Sequence, residues 1–225
     1  MVGAMTQTRR ALIIGGHGKV ALLATRKLVD AGVAVTSLFR NPAQQSDIVA
    51  LGATPVLADV TTLSTQQWAE ILSGQDVVIW SAGNGGRSGP AATYAVDRDA
   101  AISSIDAAVS LGAEAPRYIM VSFLASTSLR VDPDNSFYPY AEAKKAADLH
   151  LAASDLDYLI LAPGALTEEP ASGVEVVPDS PEASVGRTSS RELVAQVITE
   201  FVNRPQWPEN RRLPIVDGSG RVADL

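Results

Sequence analysis

The chain has 225 residues, of which 46% are hydrophobic, so it is long enough to bury a full core in one large domain. Its formal net charge of −7 argues against nucleic acid or an anionic membrane as the main partner, and its lack of cysteine excludes disulfides and thiolate catalysis. We find no run of the about 18 apolar residues that a membrane span needs, no signal-peptide core and no metal-ligand cluster, and therefore predict a cytoplasmic protein acting on a small molecule.

The elements in chain order predict an α/β fold. Residues 1–9 are predicted to be a disordered leader, and residues 10–225 a single domain. Strand-length apolar runs are Ala11–Ile14, Val33–Phe39, Pro55–Leu57, Val77–Trp80, Tyr118–Val121 and Tyr158–Leu161. Segments with helical spacing between and after them are Val20–Val29, Ala43–Leu51, Thr65–Leu72, Thr93–Leu111 and Tyr140–Ala153. This alternation predicts a doubly wound, mostly parallel sheet with helices on both faces.

The last third of the chain is less regular. Segment 163–187 is rich in proline and glycine, and we interpret it as a substrate-side loop region of the same domain. The pattern Ser189-x-x-Glu192 then predicts a capping box that opens a helix from Ser190 to Asn203.

A glycine turn follows the first strand. Gly15, Gly16 and Gly18 stand between this strand and a helix, with His17, Lys19 and Val20 completing the turn. Glycine allows unusual backbone angles, and a Cβ here would hold a pyrophosphate away from main-chain N–H groups at the positive end of the helix dipole. The turn predicts dinucleotide binding, although α/β proteins without a cofactor also contain such turns.

The ends of the next strands carry further candidates for cofactor binding. Arg40 follows the second strand, where an acid would favour NAD(H), so its guanidinium favours the 2′-phosphate of NADP(H). A solvated charge at a strand end would look the same. Asp59 and Val60, after the third strand, can flank an adenine ring. The small residues of segment 81–86, beginning Ser81-Ala82-Gly83, allow close approach of a ribose, or form an ordinary flexible loop.

Tyr140 and Lys144 are the candidates for the chemistry. Four residues apart on a predicted helix, they lie on one face, where the ammonium is expected to favour the tyrosinate. A tyrosine tuned in this way can exchange a proton with a carbonyl or alcohol oxygen during hydride transfer. A half-buried tyrosine and a solvated lysine are the alternative. We expect His17 and His150 to be surface residues without a catalytic role.

Together these motifs resemble the short-chain dehydrogenase/reductase superfamily, in particular its atypical NAD(P)-binding members, which include flavin/biliverdin reductases and NmrA-like regulators. The resemblance extends from Arg10 to about Val202 and also includes Pro163-Gly164-Ala165-Leu166. It implies a single-domain Rossmann fold and often a homodimer. The implied roles are pyrophosphate binding by Gly15, Gly16 and Gly18, 2′-phosphate binding by Arg40, adenine contact by Asp59 and Val60, ribose binding by Lys144, proton donation by Tyr140, and closure over the nicotinamide by Pro163 to Leu166.

One departure from the family pattern affects catalysis. Catalytic relatives place a Ser or Thr one or two positions beyond Ser122, where this chain has Phe123 and Leu124. Ser122 or Ser126 substitutes for this helper hydroxyl, or the hydroxyl is missing. Three functions follow: an NADPH-dependent reductase of a small carbonyl, quinone or flavin-like acceptor; a redox sensor with little turnover; and a nucleotide-sugar epimerase or dehydratase. The last is the weakest, because residues 162–225 leave little room for a sugar-nucleotide lobe.

Overall fold

The computed structural model describes residues 8–84 and 88–225. Its first half alternates strands with helices. The elements are β1 (Arg10–Ile14), α1 (Lys19–Asp30), β2 (Ala34–Phe39), α2 (Gln45–Ala50), β3 (Thr54–Leu57), α3 (Thr65–Leu72), β4 (Val77–Trp80), α4 (Gly89–Thr93), a π-helix (Tyr94–Ala100) and α5 (Ala101–Ser110).

The second half contains β5 (Arg117–Val121), α6 (Tyr138–Ala152), β6 (Tyr158–Pro163), β7 (Ala165–Thr167), β8 (Val174–Val176), α7 (Pro181–Ser184), β9 (Thr188–Ser190), α8 (Arg191–Asn203) and β10 (Arg212–Asp217). All six predicted strands are confirmed, with boundaries that move by at most two residues. Segment 163–187 contains β7, β8 and α7. None of the described helices combines the length and the apolar character that crossing a membrane requires.

Eight of the described strands form one sheet in the order β3-β2-β1-β4-β5-β6-β10-β8. All neighbours pair in parallel except β8, which runs antiparallel to β10 at the edge. The predicted doubly wound Rossmann sheet is therefore confirmed. The order reverses between β1 and β4, so the carboxyl ends of these two strands open the crevice in which such sheets bind ligands.

The core consists of two apolar layers, one on each face of the sheet. Successive residues of β1 alternate between them, with Ala11 and Ile13 in the layer under α1 and α8, and Leu12 and Ile14 in the layer under α3, α5 and α6. Because both faces are covered, the central strands are apolar throughout, and this is why their sequence signal is strong.

The predicted helix Thr93–Leu111 is the main deviation in the first half. It begins earlier, at Gly89 in α4, and passes through the π-helix before α5. The extra residue per turn in a π-helix reorients its side chains, and such turns occur frequently at functional sites. Asp97 lies in this π-helix and is fully buried.

Candidate active site

The glycine turn is shaped first by the chain's own packing. Gly15 has φ +83°, and a Cβ on it would lie 2.5 Å from the Cα of Ala82. A Cβ on Gly16 would lie 2.7 Å from the hydroxyl oxygen of buried Ser37. The N–H groups of both glycines donate to the carbonyl of Leu38, at 3.1 and 2.8 Å. The first two glycines are thus required by contacts with β2 and with the segment after β4, independently of any phosphate.

The helix that follows the turn presents free donors. Gly18 is the N-cap of α1 and provides no side-chain cap, and the N–H groups of Lys19 and Val20 have no hydrogen-bond partner among the described residues. A Cβ on Gly18 would lie 3.2 Å from the carbonyl oxygen of Gly15, so the turn is tight here as well. Unsatisfied N–H groups at the positive end of a 12-residue helix form an anion-binding site.

The two basic side chains of the turn lie apart from these amides. The His17 ring nitrogen Nε2 lies 2.8 Å from Asp47 on α2. Lys19 donates to Glu168, which also pairs with Arg191 at 3.0 Å. The hydrogen bond from Lys19 is the largest cause of a lowered pKa at Glu168, which is an exposed side chain. The charge of Lys19, the basic residue at the start of α1, is therefore paired with Glu168.

Arg40 and Asp59 lie at the same edge of the sheet, as predicted. Arg40 is exposed after β2. Asp59, after the neighbouring strand β3, accepts hydrogen bonds from the Thr61 backbone N–H at 3.0 Å and from the Thr61 hydroxyl at 2.7 Å. These bonds lower the pKa of Asp59, with a smaller contribution from the charge of Arg40. Val60 packs against the core layer under α3, so part of its side chain is covered by the core and only the remainder can contact a ligand.

The segment after β4 lies against the glycine turn and against a buried acid that the sequence did not identify. Ser81 and Ala82 are half-buried, and Ala82 packs on Gly15. A Cβ on Gly83 would lie 3.0 Å from Oδ1 of Asp97, while Oδ2 of Asp97 accepts a 2.9 Å hydrogen bond from the N–H of Asn84. Oδ1 has no partner among the described residues, and burial raises the pKa of Asp97. Gly85 and Gly86 lie outside the described residues.

Tyr140, Lys144 and Asp148 share one face of α6, but the predicted effect of the lysine on the tyrosine is wrong. Burial raises the pKa of Tyr140, and the negative charges of Asp97 and Asp148 raise it further. Lys144 is buried and donates to the carbonyl of Val121 at 2.8 Å. Burial lowers the pKa of Lys144 itself.

The phenol of Tyr140 is surrounded by aromatic rings and leaves its hydroxyl free. The ring centroid of Tyr140 lies 5.7 Å from that of Phe123 and 5.4 Å from that of Phe137, and the two phenylalanines are 5.6 Å apart. We call Phe123, Phe137 and Tyr140 the aromatic wall. The Tyr140 hydroxyl has no hydrogen-bond partner within the described parts of the chain. It is therefore available as a donor to a bound molecule.

Both candidate helper serines are engaged elsewhere. Ser122 and Ser126 each donate to Oδ2 of Asp148 at 2.5 Å, and Arg212 of β10 donates to the same oxygen at 2.9 Å. Each serine hydroxyl has one proton, so neither can also donate to a substrate oxygen in this arrangement. Sequence analysis missed Asp148 and Arg212, since a charge 64 residues from its partner leaves no local pattern.

The segment proposed to close over the nicotinamide is held by β9 and β10. Pro163 ends β6, and the N–H of Gly164 donates to the hydroxyl of Ser189 at 2.9 Å. A Cβ on Gly164 would lie 2.6 Å from the carbonyl of Arg187. Ala165 and Leu166 belong to β7, which pairs with β9, and their side chains are exposed.

This arrangement corrects the predicted capping box. Ser189 is buried in β9, and Ser190 is the N-cap of α8, accepting a 3.1 Å hydrogen bond from the N–H of Leu193. Glu192 does not reach back to the cap. It accepts hydrogen bonds from Lys27 at 3.2 Å and from the N–H of Ala171 at 3.2 Å, and so ties the segment before β8 to α1.

Comparison with known proteins gives a consistent family assignment. A family model described as NAD(P)H-binding matches residues 15–205. The chain is 31% identical over 217 residues to a protein of Bacillus subtilis named "Uncharacterized sugar epimerase YhfK", covering 96% of this chain and 97% of that protein.

Two solved structures share the fold. A Bacillus halodurans protein, provisionally assigned as an NAD-dependent epimerase/dehydratase, superposes with a TM-score of 0.84 at 31% identity and covers 96% of this chain and 97% of its own. ChuY from Escherichia coli, described as an anaerobillin reductase, superposes with a TM-score of 0.73 at 20% identity, covering 92% of this chain and 97% of its own.

Proposed function

The chain belongs to the NAD(P)H-binding family whose model matches residues 15–205, and from this premise we propose that it is an NADPH-dependent reductase of the atypical short-chain dehydrogenase/reductase type, acting on a small carbonyl, quinone or flavin-like acceptor. The observation that carries the proposal is the free hydroxyl of Tyr140, which the aromatic wall holds on the same helix face as Lys144. ChuY is described as a reductase, which is in keeping with the proposed class of reaction.

The residues of the site fit a dinucleotide. The free N–H groups of Lys19 and Val20 suit a pyrophosphate, and the exposed guanidinium of Arg40 suits the 2′-phosphate of NADPH. Lys144 uses one N–H for the carbonyl of Val121 and a second for the sulfur of Met120 at 3.5 Å, which leaves one for a ribose hydroxyl. Gly83 offers a surface without a side chain, and the segment 163–166 would close over the nicotinamide.

The protonation state of Tyr140 is compatible with reduction. The nicotinamide, when bound, supplies the hydride. Tyr140 would give its proton to the acceptor oxygen, since a phenol is already protonated near neutral pH at its ordinary pKa and burial raises the pKa of Tyr140 further. A protonated phenol is a general acid, which reduction requires, whereas oxidation of an alcohol would require the tyrosinate.

The proposed proton donor is tested with Tyr140→Phe. The change should reduce turnover of an acceptor by about 100-fold or more, because it removes the acid and leaves the ring. The affinity for NADPH, measured by calorimetry, should change by less than about twofold. Tyr138→Phe, on the same helix, is the matched control and should retain turnover. Undiminished turnover in Tyr140→Phe would show that another group donates the proton.

The proposed cofactor preference is tested by titrating the protein with NADPH and with NADH. We expect NADH to bind at least tenfold more weakly, a difference of about 1.4 kcal/mol. Arg40→Ala should reduce the affinity for NADPH toward that for NADH and leave NADH binding nearly unchanged. Equal affinities in the unmodified protein would remove Arg40 from the proposed phosphate site.

A redox sensor with little turnover is the second candidate, and the engagement of Ser122 and Ser126 by Asp148 favours it. A sensor must change shape between NADPH and NADP⁺, and the segment 163–187 is the part expected to respond. Hydrogen exchange in this segment would then differ between the two cofactor states. Identical exchange, together with measurable turnover, would eliminate the sensor.

A further inference from the structure

Arg212 connects the last strand of the sheet to the segment that carries the aromatic wall. Its Nη1 donates to Asp148 at 2.9 Å, and its Nη2 donates to the Ser126 hydroxyl at 2.8 Å and to the carbonyl of Phe123 at 3.1 Å. Its Nε donates to Asp179. All three guanidinium nitrogens are therefore used, in directions that a lysine ammonium cannot reproduce.

The partners of Arg212 hold the same segment at further points. Asp179 accepts a 2.7 Å hydrogen bond from the N–H of Ala125. Ala125 has φ +65°, a left-handed conformation that is unfavourable for alanine. Asp148 is fully buried and holds the hydroxyls of Ser122 and Ser126. The backbone from Ser122 to Ser126 is thus fixed in a conformation that it would not adopt alone.

The fixed segment carries Phe123, whose ring stacks on Tyr140 with an interplanar angle of 28°. Arg212 donates to the main-chain carbonyl of Phe123, so the guanidinium acts on the same residue whose ring stacks on the proposed proton donor. Phe137 completes the wall and is 40% exposed, which leaves its outer face open to a ligand.

We propose that Arg212 is a positioning residue for the acceptor-binding surface: through the carbonyl of Phe123 and the Asp148 carboxylate, it sets the aromatic wall against which a planar acceptor stacks. The proposal rests on the reductase function proposed above. Arg212 touches neither the glycine turn nor Arg40, so it affects acceptor binding and leaves cofactor binding unchanged.

The test uses menadione as a planar acceptor, with NADPH as the reductant. Arg212→Lys keeps the positive charge but loses the three guanidinium nitrogens that bind in different directions. It should raise the KM for menadione about fivefold, the equivalent of one lost aromatic stacking contact. The Kd for NADPH, measured by quenching of tryptophan fluorescence, should change by less than about twofold. If Arg212→Lys does not fold, Ser126→Ala is the substitute variant. It removes a single atom of the network and should give a smaller increase in the KM for menadione.

The matched control is Arg117→Lys. The side chain of Arg117 is 19% exposed, against 18% for Arg212, and it also binds a carboxylate and a backbone carbonyl, but it lies at the amino end of β5. Its substitution should leave the KM for menadione unchanged. An equal increase in KM for both lysine variants would mean that the effect is general loss of stability, and would overturn the proposal.

A double-mutant cycle with Phe123→Leu tests the route of the effect. If Arg212 acts through Phe123, the double variant should have the same KM as Phe123→Leu alone, whereas independent action predicts that the fold-changes multiply. An unchanged KM in Arg212→Lys and Ser126→Ala, with normal turnover of the unmodified protein, overturns the positioning role and leaves the reductase function intact.

If the unmodified protein reduces no acceptor, the reductase function fails instead. The positioning role is then measured by equilibrium binding of menadione to the NADP⁺ complex of each variant, which needs no turnover. Weaker binding in Arg212→Lys than in Arg117→Lys would support the role, and equal or undetectable binding in all forms would overturn it.

Discussion

Replacing Gly15 by alanine separates the two reasons for which a glycine can be required in a nucleotide-binding turn. The structure attributes this glycine to the chain's own packing, because a Cβ would lie 2.5 Å from the Cα of Ala82 and 2.6 Å from its nitrogen. If that is correct, Gly15→Ala destabilises the protein even when no cofactor is present. If the glycine serves only the pyrophosphate, stability without cofactor should fall only by the conformational cost of alanine at φ +83°.

The magnitude follows from two contributions. Alanine at φ +83° costs about 1–2 kcal/mol for the left-handed conformation, partly offset by the lower entropy of the unfolded chain. The contact with backbone atoms that cannot rotate away adds about 1–3 kcal/mol of overpacking. The sum is about 3 kcal/mol, which lowers Tm by about 6–12 °C in a domain of this size.

Gly32→Ala is the matched control. Gly32 has φ +79° and no atom within 4 Å of its would-be Cβ, so it carries the conformational cost without the clash. Thermal and urea unfolding of both variants, followed by circular dichroism without cofactor, measures the difference. Equal destabilisation of Gly15→Ala and Gly32→Ala would refute the packing argument. It would indicate that the phosphate, and not packing, requires glycine at position 15.

Three further predictions concern buried groups. Burial raises the folded-state pKa of Asp97, so between its unfolded and folded pKa values the folded protein binds more protons and stability falls as pH rises. As pH increases from 4 to 8, Asp97→Asn should therefore gain about 1 kcal/mol in free energy of unfolding relative to the unmodified protein, measured by urea unfolding. A difference between the two proteins that stays constant with pH would contradict this. Ser190→Ala should cost about 1 kcal/mol by removing the cap of α8. Ser189→Ala should cost about 1 kcal/mol because it removes two hydrogen bonds, while the N–H of Gly164 keeps its 3.3 Å hydrogen bond to the carbonyl of Ile215, and unchanged stability in either serine variant would contradict the assignment.

The parallel core of the fold could be predicted because its signal is local. A central strand covered on both faces is apolar throughout, and the short runs such as Val77–Trp80 coincide with strands almost residue by residue. The edge of the sheet could not be predicted in the same way. β10 contains Pro214, which argues against a strand interior, and β8 has three residues, one of them Glu175. Both are stabilised by pairing with neighbours distant in sequence.

The residues of the candidate site also differ in whether they have a local sequence signal. Strand ends indicated the glycine turn and Arg40 as candidates. The spacing of one helical turn indicated Tyr140 and Lys144. Asp97 could not be found, since an acid in a helical stretch has no visible function until burial and the π-helix are known. Sequence spacing also misjudged what Lys144 does to Tyr140, because it shows that two side chains share a face but not which atoms they contact.

The buried charges around α6 explain why the tyrosine and the serines behave differently from the expectation. Asp148 lies two helical turns after Tyr140 and draws the hydroxyl protons of Ser122 and Ser126 toward itself, while Arg212 compensates its charge. The same carboxylate, together with Asp97, raises the pKa of the Tyr140 phenol beyond what burial does alone. The network thus engages the hydroxyls of Ser122 and Ser126 and leaves the Tyr140 hydroxyl, within the aromatic wall, available to donate. In the proposed reduction Tyr140 would therefore donate its proton without a helper hydroxyl from Ser122 or Ser126, and this arrangement follows from Asp148 and Arg212 rather than from the motif that contains Tyr140.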